Sequence, residues 1–347
     1  MTEKTVCFFG KLNKYPRQLF FKNAFEQYGY KIIYIDNNKN IFIRHLLNLK
    51  ILFLRFDLIF VSWPGWSDLI FAKLLSLIKR KKLIYDCFTT SQEDYLDNFH
   101  GNINYPKKIF YYFADIISLK LPDHIITDTK YHKFYIIKKY NIKNISCIYI
   151  NEKKTFYNKK LFNKKNLDII FVGAFRNLHG IENIIKAHRI VNLYNKNINL
   201  RLIGTDYGKK FENLAIMMRL QNIFFYRRVN YKSMINYIEK SDVCLGIFGE
   251  SIKAQNVISN FLITACRLGK IIVTLRTGAA EEIFKNNPSC FLISKPVVQN
   301  LAKKILEINK NIKLIKKSSN TKIIYNNIFN SSVQKESFKK LISKYCI

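Results

Sequence analysis

The sequence predicts an α/β protein of two doubly wound halves, and three observations carry that reading. Short, almost continuously apolar runs alternate with longer amphipathic stretches along the chain. This is the pattern of parallel sheets covered by helices on both faces. The alternation lapses once, over the Lys/Asn-rich residues 151–166, and then restarts. The length of 347 residues suits two domains, each able to bury an ordinary core without disulfides or metal.

In the first half, residues 5–9 read as a strand, 10–16 as a loop and 17–28 as a helix. Further strands are expected at 31–36, 58–62, 82–86 and 124–127, and helices at 67–79 and 105–121. After the lapse, strands are expected at 168–172, 199–203, 223–226, 243–246, 271–274 and 290–293. Helices fall between them at 180–194, 211–220, 231–241, 259–268 and 279–284, and the chain from 297 onward is helical and basic. The domains therefore read as 1–150, a linker at 151–166, a second domain at 167–325, and a basic helical tail at 326–347 that is free to pack back on the first domain. Open α/β sheets bind ligands beyond the carboxyl ends of their strands. The residues just after each strand are the ones to weigh.

Composition sets limits. The chain carries 58 Lys+Arg against 24 Asp+Glu, a net charge of +34. Nucleic acid, an anionic membrane surface and plain solvated charge would each account for it. Nucleic acid is set aside, because no zinc-finger spacing, RRM signature or isolated basic arm is present. An anionic membrane surface stays open as a partner, beside solvated charge in a chain rich in Lys, Asn and Ile. The seven cysteines are odd in number, scattered and never in a C-x-x-C pair, which excludes a disulfide scaffold and points to a reducing compartment. Residues 1–4 lead straight into a strand-like run rather than a secretory signal. The most apolar stretch, 50–66, contains Arg55 and Asp57 and is shorter than the roughly 20 clean apolar residues of a bilayer helix. A cytoplasmic protein is expected.

Three constellations follow strands. The first is Gly173-Ala-Phe-Arg176-Asn-Leu-His179-Gly180. A glycine-bearing loop feeding a helix offers free N–H groups and a positive dipole end to phosphate, and Arg176 adds a bidentate donor. An ordinary β–α turn is the plainer alternative. The second runs from Gly246 through Gly249, Lys253 and Asn256 to Asn260 at the next helix start. Asn260 alone is an N-cap and Lys253 alone a solvated lysine. Together they gather a cation, amides and a helix start, as a diphosphate or a sugar hydroxyl face requires. The third is Thr277-Gly278-Ala-Ala-Glu281-Glu282. Its glutamates either compensate a helix dipole, worth about 0.3–1 kcal/mol each, or accept hydrogen bonds from ribose or sugar hydroxyls. There is no D-x-D, no zinc spacing among the six histidines, no G-x-S-x-G and no Walker lysine loop. No metal site and no resident cofactor are expected.

The strings FVGAFRNLHGIENIIKAH and GIFGESIKAQNVISNFLITACRLGKIIVTLRTGAAEEIF resemble the C-terminal half of retaining GT-B glycosyltransferases, the family 4-like, group 1 transferases that include bacterial mannosyl- and glucosyltransferases. The resemblance covers about 168–284 and is specific in combination. The first half resembles one branch more loosely, through Tyr15-Pro-Arg17, Tyr85-Asp86 with Ser91 and Asp94, and Asp128-Thr129 with His132. It implies the GT-B fold, two Rossmann-like domains facing each other across a cleft. It also implies a nucleotide-diphosphate sugar as donor, retention without a metal, and a glycan or lipid-linked acceptor in surface glycan or lipid-linked polysaccharide assembly, cytoplasmic or at the inner membrane face.

Carried over, Arg176 takes the place of a phosphate-binding basic residue, and Gly173 lies in the same donor loop. His179 stands where the lysine of a Lys-Gly pair is usual, and supplies a second phosphate cation only if protonated. Lys253 matches a basic position. Asn260 matches an asparagine, with Phe261 where a lysine is usual. Glu282 matches the glutamate after the Gly278 turn. The family's two glutamates seven residues apart fall on Asn256 and Thr264, neither acidic, so part of sugar or ribose recognition must differ. Gly10 lies in the first β–α loop, where donor phosphates approach. Asp86, closing a strand, is the candidate for orienting the acceptor hydroxyl or the transition state, with a turn aspartate as alternative. Catalytic His132 follows Asp128 by four and could share its helix face, for an acceptor contact or a structural hydrogen bond. Arg17 and Asp94 are acceptor-side candidates. Arg17 could instead lie on a helix surface, and Asp94, three residues before Asp97, could simply be solvated. The rivals are another GT-B enzyme, such as a nucleotide-sugar 2-epimerase, and a degenerate nucleotide-sugar-binding protein.

Overall fold

The computed structural model describes residues 4–10, 15–36, 49–98, 103–149, 166–206, 209–318 and 320–345. The chain divides into two compact units, one of residues 1–96, 101–152 and 328–347, the other of 97–100 and 153–327. Apart from Asn166, the linker expected at 151–166 lies outside the described residues.

The first unit runs β1 (Lys4–Gly10), α1 (Pro16–Gln27), β2 (Tyr30–Asp36), β3 (Leu58–Val61), α2 (Leu69–Lys79), β4 (Lys82–Asp86), α3 (Ser91–Asn98), α4 (Tyr105–Lys120), β5 (His124–Thr127), α5 (Lys130–Tyr140) and β6 (Ile145–Cys147). Its strands form one sheet in the order β2-β1-β3-β4-β5-β6, and every pairing is parallel. Alternate residues of β1 enter different cores, as a strand's period of two requires. Val6 and Phe8 face one core with Phe21 and Phe25 of α1, while Cys7 and Phe9 face the other with Leu75 of α2 and Ile136 of α5. Local chemistry sets the helix ends. Pro16 opens α1, where a missing N–H costs nothing. Thr129 caps α5 by accepting the His132 N–H, and Asn141 ends it in the left-handed region at φ 54°. The three-residue β6 was not expected, being too short to show a period.

The second unit runs β7 (Leu167–Val172), α6 (Ile181–Tyr194), β8 (Ile198–Ile203), α7 (Lys210–Met217), β9 (Ile223–Tyr226), α8 (Tyr231–Glu239), β10 (Val243–Leu245), α9 (Ile252–Asn256), α10 (Asn260–Arg267), β11 (Ile271–Leu275), α11 (Gly278–Phe284), β12 (Cys290–Ile293), α12 (Val297–Ser318) and α13 (Thr321–Ile324). Its parallel sheet has the order β12-β11-β10-β7-β8-β9, the strand order of a dinucleotide-binding Rossmann sheet. The last helix, α14 (Ser331–Ile342), belongs to the first unit and buries Phe338 against Phe21, Phe25 and Phe60. Two doubly wound α/β units are thus present, as the alternation implied. Among the described residues no helix is long and apolar enough to cross a membrane.

Candidate functional site

In the second sheet the strand order reverses between β7 and β10, where such sheets open a ligand crevice. The loops after these two strands are joined backbone to backbone. The Gly249 N–H donates to the Leu178 carbonyl at 2.8 Å and the Phe248 N–H to the His179 carbonyl at 3.2 Å. Asn183 Nδ2 adds a bond to the Phe248 carbonyl at 3.1 Å. Approach this close excludes side chains at two positions. Gly180 has φ +58°, and a Cβ there would lie 2.4 Å from the Phe248 carbonyl carbon and oxygen. A Cβ at Gly249 would lie 2.0 Å from the Asn177 carbonyl oxygen. Backbone cannot yield as a side chain can, so both positions require glycine. Gly173 is less constrained, since a Cβ would meet only the Phe171 and His179 side chains, at 3.0 and 3.3 Å.

The cations of this region differ in setting. Arg176 is exposed on the first loop. Lys253 is buried in α9, a helical turn capped by Ser251, whose Oγ accepts the Ala254 N–H at 3.1 Å. The polar loop expected before Asn260 therefore contains a helical turn. Asp97, on the last turn of α3, is grouped with this unit rather than with the rest of its helix. Its Oδ1 accepts from the Leu178 N–H at 2.8 Å and from Ser251 Oγ at 3.1 Å. Burial raises the Asp97 carboxyl above its ordinary value, and Lys253, those two hydrogen bonds and Arg176 offset that rise only in part. An N–H, a hydroxyl and two cations thus surround one carboxylate and offset its burial in part.

His179 is held by the loop itself. Its Nδ1 lies against the Ala174 carbonyl, which requires an N–H there. Burial pushes the imidazole down to about 4, with Arg176 and Lys253 adding to the drop. The ring is therefore neutral near pH 7 in the chain without ligand. The expectation for Asn260 is corrected: Ser259 holds the N-cap position, and Asn260 is the exposed first residue of α10. At α11 the cap is Thr277, which accepts the Ala280 N–H at 3.1 Å and precedes Gly278. Glu281 pairs with Arg276 at 2.7 Å, and Glu282 is half-buried on the same turn. Asn256 and Thr264 are both buried.

In the first sheet the order reverses beside β1, which ends at Gly10. Residues 11–14, the rest of that loop, lie outside the described residues. The neighbouring strand ends carry a buried polar network. Asp86 is fully buried, and its Oδ1 pairs with Arg17 Nε at 2.7 Å. Arg17 Nη1 donates to the Ile148 carbonyl at 2.7 Å and Nη2 to the Thr127 carbonyl at 3.3 Å. One guanidinium therefore ties the start of α1 to the ends of β4 and β5 and to the chain after β6. Burial raises the Asp86 carboxyl to about 6 against the pull of Arg17.

His132 is fully buried between two carboxylates, with Nε2 3.1 Å from Glu93 Oε2 and Nδ1 3.3 Å from Asp128 Oδ1. Burial alone would lower its pKa, but Glu93 and Asp128 outweigh it and raise the imidazole to about 10. It is an imidazolium donating from both nitrogens. The same Glu93 oxygen accepts the Thr90 N–H at 2.9 Å, and Thr90 Oγ1 accepts the Glu93 N–H at 3.3 Å. This is a capping box at the start of α3.

These contacts correct three expectations. Asp86 and His132 do not present a carboxylate and an imidazole to an acceptor, because both are enclosed and engaged by protein partners. Arg17 lies neither on a helix surface nor open to substrate. Asp94 is half-buried and accepts from Thr89 Oγ1 at 2.9 Å and Trp63 Nε1 at 3.2 Å. Glu93 was missed, although Thr90-Ser-Gln-Glu93 is a legible capping-box signal.

Comparison with known proteins adds to this geometry. The family described as glycosyl transferases group 1 matches residues 152–326. No curated protein matches the sequence significantly. Sucrose-phosphate synthase from Thermosynechococcus elongatus shares the fold with a TM-score of 0.75 at 12% identity, covering 98% of each chain. A glycosyltransferase from Rickettsia africae gives 0.72 at 15% identity over 99% of each chain. Anabaena HepE, solved with UDP and glucose, gives 0.71 at 14% identity over 98% of this chain and 100% of its own.

Proposed function

The chain belongs to the glycosyl transferases group 1 family, and we propose that it moves a hexosyl or related sugar from a nucleoside-diphosphate sugar to an acceptor hydroxyl with retention of configuration. The observation that carries this reading is the cluster of hydrogen-bond donors and cations where the second sheet reverses. The groups gathered around Asp97, an N–H, a hydroxyl and the cations Arg176 and Lys253, are of the types that bind a diphosphate. Helix α6, starting beside Gly180, adds a positive dipole end. Glu282 is proposed to accept from ribose or sugar hydroxyls. UDP and glucose bound to HepE are of the ligand class proposed here.

As the glycosidic bond breaks, charge develops on the leaving diphosphate. Arg176 and Lys253 stabilise that charge more in the transition state than in the ground state. Neutral His179 shapes the loop through Ala174 rather than adding charge. The acceptor hydroxyl attacks from the face of the departing group and passes its proton to the leaving phosphate oxygen. This scheme needs neither Asp86 nor His132 as a base, and it needs no metal or cofactor because fixed cations meet the charge. Asp94 is the remaining acceptor-side candidate. The acceptor is proposed to be a glycan or lipid-linked sugar in surface glycan or lipid-linked polysaccharide assembly at the cytoplasmic face of a membrane, a setting that the net charge of +34 suits.

A thermal-shift screen of nucleotide sugars tests the donor class, since ligand at a hundred times its Kd stabilises by about 2.7 kcal/mol. Arg176→Ala is expected to weaken nucleotide sugar and free nucleoside diphosphate together, by about 1.5–3 kcal/mol. Calorimetry showing unchanged diphosphate affinity would remove Arg176 from the site. Donor turnover without an acceptor product would favour an epimerase, and binding without turnover a degenerate binding protein.

A further inference from the structure

We infer that the outer faces of α2 and α4 form a docking surface for an anionic lipid bilayer. Helix α2 is apolar on two sides. Leu69, Ala72 and Leu75 face the sheet, while Ile70, Leu74, Leu77 and Ile78, at spacings i, i+4, i+7 and i+8, are 55–66% exposed. Helix α4 repeats the arrangement. Leu119 is buried, and Ile109, Phe110, Phe113 and Ile117 are 51–60% exposed. Both helices pack on one core cluster on the same side of the first sheet, and Trp66, just before α2, meets Tyr111 of α4 with ring centroids 6.2 Å apart. A helix that only borders water carries a polar outer face. Scattered exposed apolar residues need no explanation, but a stripe on each of two neighbouring helices marks an interaction surface.

Charge selects the occupant. Lys73 and Lys79 lie on α2, Arg80 follows it, and Lys107, Lys108 and Lys120 lie on α4. The only carboxylate on either helix, Asp115, is buried and accepts from the backbone of Ser91 and Gln92. Apolar stripes rimmed by cations on long stems suit a layer whose interior is apolar and whose surface is anionic. A second copy docking through the same face would set these cations against each other across a two-fold axis. The inference rests on the proposed function only in placing the acceptor at a membrane; the surface itself is argued from exposure and charge.

The test is flotation of the full chain with phosphatidylcholine vesicles, with and without about 30 mol% phosphatidylglycerol, at about 0.05 and 0.5 M salt. Binding is expected on the anionic vesicles and is expected to fall about tenfold or more at the higher salt. Leu77→Glu with Phe113→Glu is expected to lower low-salt binding by about tenfold or more, with nucleoside-diphosphate affinity unchanged on the same preparation. Lys73→Glu with Lys120→Glu is expected to reduce anionic binding selectively. Wild-type flotation by the Leu77/Phe113 variant overturns the inference. So does a wild type that ignores anionic vesicles but sediments as a dimer which that variant makes monomeric. Vesicle binding with no affinity for any nucleoside diphosphate would overturn the donor reading and leave this one standing.

Discussion

Replacing His132 with Gln separates a structural imidazolium from a reacting one. The ring is fully buried and meets carboxylate oxygens at 3.1 and 3.3 Å. Glutamine can donate to one of them but brings no charge, so Glu93 and Asp128 would share the interior without a cation. The rise from the ordinary 6.5 to about 10 corresponds to at most about 5 kcal/mol, at roughly 1.4 kcal/mol per pH unit. Removing one partner of a buried ion pair costs about 3–5 kcal/mol, so the two routes agree. The loss should appear in the unfolding transition of the first unit, since two units need not melt as one. At about 2–4 °C per kcal/mol, that transition is expected to fall by roughly 6–20 °C. The pH dependence has a definite sign. A group whose folded pKa is raised stabilises fully below its unfolded value and ceases to do so as pH climbs through the folded one. Wild-type stability in the first unit should therefore decline between about pH 6.5 and 10, and the variant should be nearly flat across that window. An unmoved transition combined with abolished transfer would refute this reasoning and return His132 to the reaction.

Two further outcomes follow from the strand ends. Gly249→Ala, whose Cβ would lie 2.0 Å from the Asn177 carbonyl oxygen, should destabilise the second unit by more than about 2 kcal/mol and weaken nucleoside-diphosphate binding with it; an unchanged urea midpoint would show that the loops can part freely. Asp86→Asn leaves Arg17 buried without its countercharge and should cost the first unit about 3–5 kcal/mol, whereas a hundredfold loss of single-turnover rate at unchanged stability would make Asp86 a reacting group.

The fold was legible because it depends on periodicity. Strands such as Leu58–Val61 and Ile271–Leu275 are buried along their whole length, and continuous apolar runs announce that in any order. Ile145–Cys147 was not legible because three residues have no period. At the candidate site, the sequence identified Arg176, Lys253 and the glycine-bearing loops but not how they meet. That Gly180 and Gly249 exclude a Cβ depends on a contact between segments about 70 residues apart. The partners of Asp86 and His132 were hidden for the same reason. Arg17 lies 69 residues from Asp86, and Glu93 lies 39 residues from His132. Within a single turn, the Thr90/Glu93 capping box was there to be read.

The two units answer the same problem in opposite ways, and the difference bears on how transfer proceeds. Polar side chains at the ends of parallel strands must be hydrated, paired or given a ligand. In the first unit they pair with one another: Asp86 with Arg17, and His132 with Glu93 and Asp128. That network ties the strand ends together through Arg17 and His132. In the second unit the loops after β7 and β10 meet through backbone hydrogen bonds. Glycines allow that approach, and Arg176 and Lys253 act on the Asp97 carboxylate. On the proposed function, Arg176 and Lys253 stand where the leaving diphosphate develops charge. The proposed mechanism accordingly draws its rate from stabilising the leaving group, with the acceptor hydroxyl held in position.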